Sequence, residues 1–171
     1  QSLRIFEREL GPTDLGIAGS LNNLATLYRA ADQPALALPL FQRSLQIYEN
    51  SLNPNHRFVA TSLNNIAATY VTMGQYAKAL PLYQRSLSIF ERALGPHHET
   101  VAASLENLAE LYINLGEHST ALPLLNRSLS INERVYGHES PPVADSIGLL
   151  ARAHYAIANY SLALQYFQRS L

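Results

Sequence analysis

Cysteine and tryptophan are absent from this chain of 171 residues, and methionine occurs only once. Without cysteine there is no disulfide framework and no thiolate metal site, a composition that suits a reducing compartment, so we expect a cytoplasmic protein. No run of about 18 apolar residues is present to cross a membrane. The chain opens at Gln1 without a signal peptide, and we expect it to be an excerpt from a longer protein.

An excess of basic charge is also lacking. Lysine and arginine number 12 against 13 aspartates and glutamates, for a formal charge of −1. Because the chain has no excess of lysine and arginine to neutralise a run of phosphates, we expect no nucleic acid partner. We expect no membrane partner either. Hydrophobic residues make up 47% and charged residues 15% of the chain, which favours a folded protein over a disordered one.

Two sequence blocks recur with one period of 42 residues. PLYQRSL at residues 81–87 has varied copies one period earlier and one period later. The second block begins SLNN in its first copy, and its copies start at Ser20, Ser62, Ser104 and Ser146. A fixed period of about 20 to 50 residues indicates stacked supersecondary units without one central core. We therefore expect function on a repeated surface rather than in a catalytic cleft.

Apolar residues within each period fall at helical spacing, as Leu21, Leu24, Ala25 and Tyr28 do. The sequence thus predicts an all-α solenoid of antiparallel helix pairs, each made of a helix A and a helix B. Helix A is predicted at 14–31, 56–73, 98–115 and 140–157, and helix B at 34–52, 76–94, 118–136 and 160–171.

These elements predict one repeat array over residues 1–171, whose first 13 residues are the end of a preceding helix B. The repeats then run over 14–55, 56–97, 98–139 and a truncated 140–171. Because the terminal repeats of such arrays normally need a polar cap, end-to-end self-association is expected here.

Residues typical of turns mark the ends of the predicted helices. Residues suited to end helix B by a left-handed conformation stand in phase at Gly11, Asn53, Gly95 and Gly137. The turns from helix A to helix B carry Asp32, Gly74, Gly116 and Ala158. We expect the two turns without glycine to be less regular. Proline enters the first turns of helix B at Pro39, Pro81 and Pro123, where we expect a bend rather than a break.

The positions Leu24, Ala25, Tyr28, Ala37, Phe41 and Ser44 resemble the tetratricopeptide pattern of leucine, small, aromatic, small, aromatic, small. The period is longer than the usual 34 or so residues. LNNLATLY, ALPLYQRSL and LGPHHETVAASL resemble the repeats of kinesin light chain, and equally those of bacterial arrays joined to nucleotide-switch or caspase-like domains. The resemblance implies a right-handed superhelix whose concave surface, lined by A helices, binds extended peptides.

The resemblance also implies functional positions. Groove asparagines of kinesin light chain match Asn22, Asn23, Asn64, Asn65 and Asn107, whereas position 106 is glutamate and the fourth repeat has Gly148 and Leu149. With the helical face around them, the candidate peptide-binding residues are Asn22, Asn23, Thr26, Arg29, Asn64, Asn65, Val71, Thr72, Glu106, Asn107, Glu110, Asn114, Arg152 and Tyr155.

Asparagine suits such a groove because a carboxamide pairs with both the N–H and the C=O of an extended peptide. An alternative stays open, in which the repeated asparagines bridge adjacent helices. This alternative weighs most for Asn23, Asn65 and Asn107. The predicted lining sets Arg29 and Arg152 against Glu106, Glu110 and Asp145, so we expect a weakly charged, partly apolar partner segment.

No residue pattern predicts catalysis, a cofactor or a metal. His97, His98 and Glu99 lack a histidine at the helical spacing that shared coordination requires, so helix capping is favoured. Arginine recurs at Arg43, Arg85, Arg127 and Arg169. These arginines are predicted to lie on a solvated convex face and to pair with nearby glutamates such as Glu49, Glu91 and Glu133.

The sequence therefore predicts a non-enzymatic scaffold that binds a protein or peptide segment in its groove. The alternative is a structural or self-associating segment that packs on, or restrains, an effector domain of the parent protein.

Overall fold

The computed structural model describes residues 14–169, and these form eight α-helices. In chain order the helices are α1 Leu15–Ala30, α2 Pro34–Ser51, α3 Arg57–Thr72, α4 Tyr76–Leu94, α5 Glu99–Asn114, α6 His118–Tyr136, α7 Pro141–Ala156 and α8 Tyr160–Arg169. Each begins within one residue of its predicted start, which confirms the predicted alternation of helices A and B. The predicted helix end at residues 1–13 lies outside the described residues, as do residues 170 and 171.

The chain forms two compact units, Gln1–Ile89 and Phe90–Leu171, here called the N-terminal and C-terminal units. The division falls inside α4. In the N-terminal unit α2 packs on both α1 and α3. In the C-terminal unit α6 packs on both α5 and α7, and α7 also packs on α8. In both units these helices pack mainly on their neighbours in sequence, as expected of stacked repeats.

The core of each unit is built where helix B of one repeat meets helix A of the next. In the N-terminal unit the fully buried Phe41 of α2 lies in one cluster with Ala25 of α1 and Ile66 of α3. In the C-terminal unit Leu125 of α6 shares a cluster with Leu150 and Ala153 of α7 and with further apolar residues. The apolar stripes that predicted the helices are therefore the surfaces that join them.

Small residues let paired helices approach closely. The buried hydroxyl of Ser44 donates to the carbonyl of Ala18, and that of Ser86 donates to Ala60, both at 2.8 Å. Ser44 was predicted as a small packing position. Both buried hydroxyls are satisfied by a backbone carbonyl oxygen of the paired helix.

The turns from helix A to helix B are equally regular in all four repeats, so the expectation of irregular outer turns was wrong. Asp32 and Ala158 take positive φ values of 55° and 60°, beside 70° at Gly74 and 78° at Gly116. In each turn a backbone N–H also reaches back five residues, as from Gln33 to Tyr28 and from Asn159 to His154, both at 2.9 Å. Helix packing on both sides imposes one conformation even where a side chain disfavours it.

The longer loops use two kinds of helix end. Gly95 and Gly137 have positive φ as expected, whereas Asn53 does not. The preceding helix ends instead with an extended residue, Leu52. The side-chain oxygen of Asn53 then accepts from the N–H of Asn55 at 2.9 Å in an Asx turn. The helices run unbroken through Pro39, Pro81 and Pro123.

Histidine caps two of the A helices. The Nδ1 atom of His56 accepts from the N–H of Phe58 at 3.2 Å, and that of His98 accepts from Thr100 at 3.1 Å. Asp14 does the same for α1 with the N–H of Gly16. The predicted capping role is confirmed for His98, and His56 makes the equivalent contact one repeat earlier.

Arginine and glutamate link successive B helices. Arg85 pairs with Glu49 at 2.8 Å and Arg127 with Glu91 at 2.5 Å. Arg169 pairs with Glu133 in the same way. In each pair the arginine follows the glutamate by 36 residues, so the predicted pairing is confirmed as a recurring contact between repeats.

Candidate partner-binding surface

In the N-terminal unit, a hydrogen bond between the side chains of Asn22 and Asn65 links the two A helices α1 and α3. The Asn65 side-chain amide donates to the Asn22 side-chain oxygen at 3.0 Å, and both residues are partly buried. This contact is of the bridging kind that the sequence left open. It uses one donor and one acceptor, so each carboxamide keeps further hydrogen-bonding capacity. A peptide-binding role for these two residues stays a prediction.

The other candidate residues of α1 differ in their exposure. Asn23 and Thr26 are exposed, and the Thr26 hydroxyl donates to the carbonyl of Asn22 at 2.9 Å. Arg29 is partly buried, with its guanidinium carbon 5.9 Å from the centre of the Phe41 ring. Arg29 therefore covers the core of the unit with its side chain.

The candidate residues on α3 all lie at its surface. Asn64 and Val71 are partly buried, and Thr72 is exposed. The Thr72 hydroxyl donates to the carbonyl of Ala68 at 3.0 Å. Asparagine, valine and threonine thus give this face a mixed polar and apolar character without a formal charge.

In the C-terminal unit, a cleft of about 450 Å³ lies between α5 and α7 and reaches α8. We call it the α5–α7 cleft. Its lining residues are Glu106, Asn107, Glu110, Ala144, Asp145, Gly148, Leu149, Arg152 and Phe167. Four of the predicted groove residues, namely Glu106, Asn107, Glu110 and Arg152, therefore meet in one concavity.

Gly148 opens this cleft. The equivalent positions of the first two repeats carry Asn22 and Asn64. A Cβ atom added at Gly148 would meet nothing within 4 Å. The sequence showed this glycine only as the loss of an asparagine, whereas the structure shows the space that the missing side chain leaves.

The charge of the cleft is negative on balance. Glu106, Glu110 and Asp145 contribute three carboxylates, against the single guanidinium of Arg152. The guanidinium lies 3.7 Å from the Glu110 carboxylate, and both side chains are about half exposed. Leu149 and Phe167 add apolar surface beside these charges. Such a lining opposes an acidic partner.

Glu106 also has a second role that the sequence did not reveal. Its Oε1 atom accepts hydrogen bonds from the hydroxyls of Ser128 and Ser146, at 2.7 and 2.5 Å. It accepts a third from the side-chain amide of Asn132, at 3.2 Å. These three donor residues are buried, so one carboxylate oxygen joins α5, α6 and α7.

A signal for this polar cluster is present in the repeats. Position 132 is asparagine where the earlier repeats have Tyr48 and Phe90. The glutamate at position 106 stands where those repeats have asparagine. Two departures from the repeat pattern thus occur 26 residues apart, and the structure brings them into contact.

The last candidate residues lie outside the lining of the cleft. Asn114 is the exposed final residue of α5. Tyr155 is 63% exposed, and its ring meets that of Tyr160 edge-on with centroids 5.4 Å apart. The structure places both on the surface of the C-terminal unit without bringing them to the other candidates.

Neither a metal nor a membrane role gains support from the described residues. Between residues 14 and 169, no three histidine, aspartate or glutamate side chains are grouped as metal ligands would be. Over the same range, every helix is too short or too polar to cross a bilayer.

The helix pairs, their spacing and their serine contacts define a class of protein, the all-α repeat solenoid. A family model for the tetratricopeptide repeat matches residues 1–50, 16–92, 58–133 and 100–171. The chain belongs to the tetratricopeptide repeat family. No curated protein sequence matches it significantly.

Solved structures support the same fold. Nearly identical TPR-like repeats attributed to a kinesin light chain of Podosopora anserina share 25% identity with this chain, with a TM-score of 0.85 over 98% of this chain and 79% of that one. BtubC from P. vanneervenii shares 22% identity, with a TM-score of 0.84 over 92% of this chain. The chain spans 63% of the BtubC chain. The apo form of RapI shares 21% identity, with a TM-score of 0.84 over 98% of this chain and 60% of that one.

These comparisons establish the kinesin light chain-like repeat type that the sequence predicted. Repeats of this family form protein–protein interaction scaffolds, and such folds are generally non-catalytic. Membership of this family supports a protein–protein interaction scaffold.

Proposed function

We propose that the chain binds an extended segment of a protein partner along its A helices, and that in the C-terminal unit this segment enters the α5–α7 cleft. The observation that carries the proposal is the cleft itself. It gathers four of the residues predicted from the sequence around a space that Gly148 leaves open.

The lining indicates the chemistry of the segment. Carboxamides such as Asn107 pair with a peptide backbone whatever its sequence. Leu149 and Phe167 offer apolar contact to a side chain, whereas the excess of carboxylates opposes an acidic one. We therefore propose a weakly charged, partly apolar segment as the partner.

A random-peptide display selection tests this proposal, with Gly148→Leu as the variant that fills the cleft. Because a Cβ at position 148 meets no neighbour and glycine disfavours helices, the substitution should not unfold α7. Ala93→Leu is the matched control, since Ala93 is exposed on α4 and the equivalent position of the next repeat already carries Val135.

We expect peptides that enrich on the wild-type chain and on Ala93→Leu, and that are lost on Gly148→Leu. Peptides that bind all three proteins equally would contradict the assignment of the cleft. A parallel selection with Asn64→Leu and Asn65→Leu together tests the corresponding face of the N-terminal unit. Absence of any enrichment would contradict the groove function as a whole.

A further inference from the structure

Two carboxylates of the α5–α7 cleft stand where the earlier repeats carry uncharged residues. Glu106 lies on α5 and Asp145 on α7, so a carboxylate lines the cleft from each helix. The positions equivalent to Glu106 in the first two repeats are Asn22 and Asn64. Those equivalent to Asp145 in the first three repeats are glycine, threonine and alanine. Both carboxylates thus depart from the repeat pattern, and the structure gathers them around one space.

Glu106 is the carboxylate that the fold fixes in place. It is partly buried, whereas Glu110 and Asp145 are exposed. Its Oε1 atom accepts three hydrogen bonds from buried residues of α6 and α7. The donors are two hydroxyls and an amide, which carry no positive charge, so these bonds orient Glu106 without compensating its charge. A side chain oriented in advance loses little freedom when it binds a ligand.

The same hydrogen bonds decide which oxygen a ligand can reach. Because the buried donors meet Oε1 and Glu106 also lines the cleft, Oε2 is the atom available from the cleft. One available oxygen suits the compact ammonium of lysine better than the planar guanidinium of arginine, whose fork matches both oxygens of a carboxylate. The cation of the lining, Arg152, lies 3.7 Å from Glu110 and so pairs with a different carboxylate.

We propose that the partner segment places a lysine side chain in the α5–α7 cleft, with its ammonium on Oε2 of Glu106 and its aliphatic stem against Leu149. Leu149 is a partly buried residue of the lining, and lysine stems cover apolar surface in this way. Asp145 adds a second negative charge to the same lining. One lysine leaves the segment weakly charged as a whole. The inference rests on the proposed function and deepens it.

This contact makes Glu106 a specificity-determining residue. An asparagine accepts a hydrogen bond from almost any segment, whereas a carboxylate in a concavity favours a cation and opposes an anion. In the N-terminal unit the equivalent positions carry asparagine. The lysine therefore sets the register in which the segment binds, because those positions offer its ammonium no matching charge.

The test uses a synthetic peptide, the one most enriched in display selection on the wild-type chain, and measures its affinity by fluorescence anisotropy. Glu106→Gln removes the charge while keeping an oxygen for the buried donors of Ser128, Asn132 and Ser146. Glu117→Gln is the matched control, because it changes the net charge equally at an exposed residue outside the lining. Circular dichroism verifies that both variants remain helical.

We expect a lysine in the peptide whose replacement by norleucine, which keeps the stem without the ammonium, weakens binding to the wild-type chain at least about tenfold. Replacement by arginine should weaken binding at least about threefold. On Glu106→Gln the lysine and norleucine peptides should bind within about twofold of each other, as a double-mutant cycle requires of a direct contact. Glu117→Gln should behave as the wild type does.

The outcomes separate this inference from the proposed function. Peptides that are lost on Gly148→Leu but contain no such lysine, or whose lysine matters equally on Glu106→Gln, would overturn the inference and leave cleft binding standing. Arginine that binds as well as lysine would also overturn it. Peptides indifferent to Gly148→Leu would contradict the cleft itself, and with it both proposals. The comparison of lysine, norleucine and arginine on the wild-type chain does not depend on the folding of any variant.

Discussion

Single residues decide where this chain departs from a regular repeat. At Gly148 the α5–α7 cleft is open where the first two repeats carry asparagine, and Glu106 joins three helices where the same two repeats carry asparagine. Ala158 adopts a left-handed turn that suits glycine better. Each of these differences lies at one residue, so a single substitution can test it.

Replacing Ala158 in its left-handed turn by glycine should raise the stability of the fold. Ala158→Gly removes the steric cost of φ 60°, which we expect to outweigh the added freedom of the unfolded chain and to raise stability by about 1 kcal/mol. Urea denaturation followed by circular dichroism measures the change. Ala103→Gly, at an exposed position inside α5, should instead lower stability by about 1 kcal/mol. Equal losses for both variants would show that the turn carries no strain.

The polar cluster around Glu106 should make this residue important for stability. Glu106→Ala removes an acceptor that three buried donor residues share and leaves the Ser146 hydroxyl its bond to the Pro142 carbonyl, so we expect a loss of about 1–3 kcal/mol. Glu110→Ala, one turn further along the exposed side of α5, should cost less than about 1 kcal/mol because its ion pair with Arg152 is solvated.

A double substitution tests whether the residues at positions 106 and 132 interact directly. Adding Asn132→Phe to Glu106→Asn restores the residue types of the second repeat, Asn64 and Phe90. We expect the double variant to be more stable than Glu106→Asn alone in the same denaturation experiment. Independent, additive effects of the two substitutions would contradict a direct interaction.

At the scale of elements, the helices were predictable and the finer contacts were not. Repeated blocks, helical spacing and turn residues predicted every described helix start to within one residue, because these signals are local. The left-handed Asp32 and Ala158 were not predicted, since neighbouring helices impose that conformation. The α5–α7 cleft was only partly predictable, because four lining residues share a helical face but the space itself depends on an absent side chain.

The pairs between B helices predict a dependence of stability on pH. A hydrogen bond from Arg169 lowers the pKa of the Glu133 carboxyl below its ordinary value. A depressed folded-state pKa means that the stabilisation is complete above the unfolded-state pKa and is lost as the pH falls through the folded-state pKa. Because both side chains are partly solvated, we expect it to be about 0.2–1 kcal/mol at neutral pH.

Comparing Glu133→Gln with the wild-type chain measures the contribution of the Glu133 carboxylate, which His138 also contacts at 3.3 Å. The wild type should unfold at higher urea than the variant at neutral pH, and the difference should vanish in acid, where the carboxyl is protonated. Glu139→Gln, a substitution at an exposed loop position, should leave the neutral midpoint unchanged. A difference that persists unchanged in acid would contradict the pairing.

At the scale of the whole molecule, the near-neutral net charge and the repeated helix pairs both favour partner recognition through short-range contacts. A net charge of −1 gives little long-range attraction for a strongly charged partner, and repeats present similar surfaces at successive positions along the chain. We therefore expect recognition to depend on local contacts such as those proposed for the α5–α7 cleft.

This weak charge predicts a weak dependence of binding on salt. Peptides enriched on the wild-type chain should change in affinity by less than about threefold between low and physiological salt, because few charges are screened. Fluorescence anisotropy of a labelled peptide measures this directly. Steep salt dependence together with a restriction to acidic peptides would contradict the proposed chemistry of the partner.

The most direct test of the central claim is the affinity of one enriched peptide for the wild-type chain, Gly148→Leu and Ala93→Leu, measured by anisotropy under identical conditions. If the α5–α7 cleft holds the partner segment, the dissociation constant should rise at least about tenfold for Gly148→Leu and stay unchanged for Ala93→Leu. The same affinity for all three folded proteins would contradict binding in the cleft.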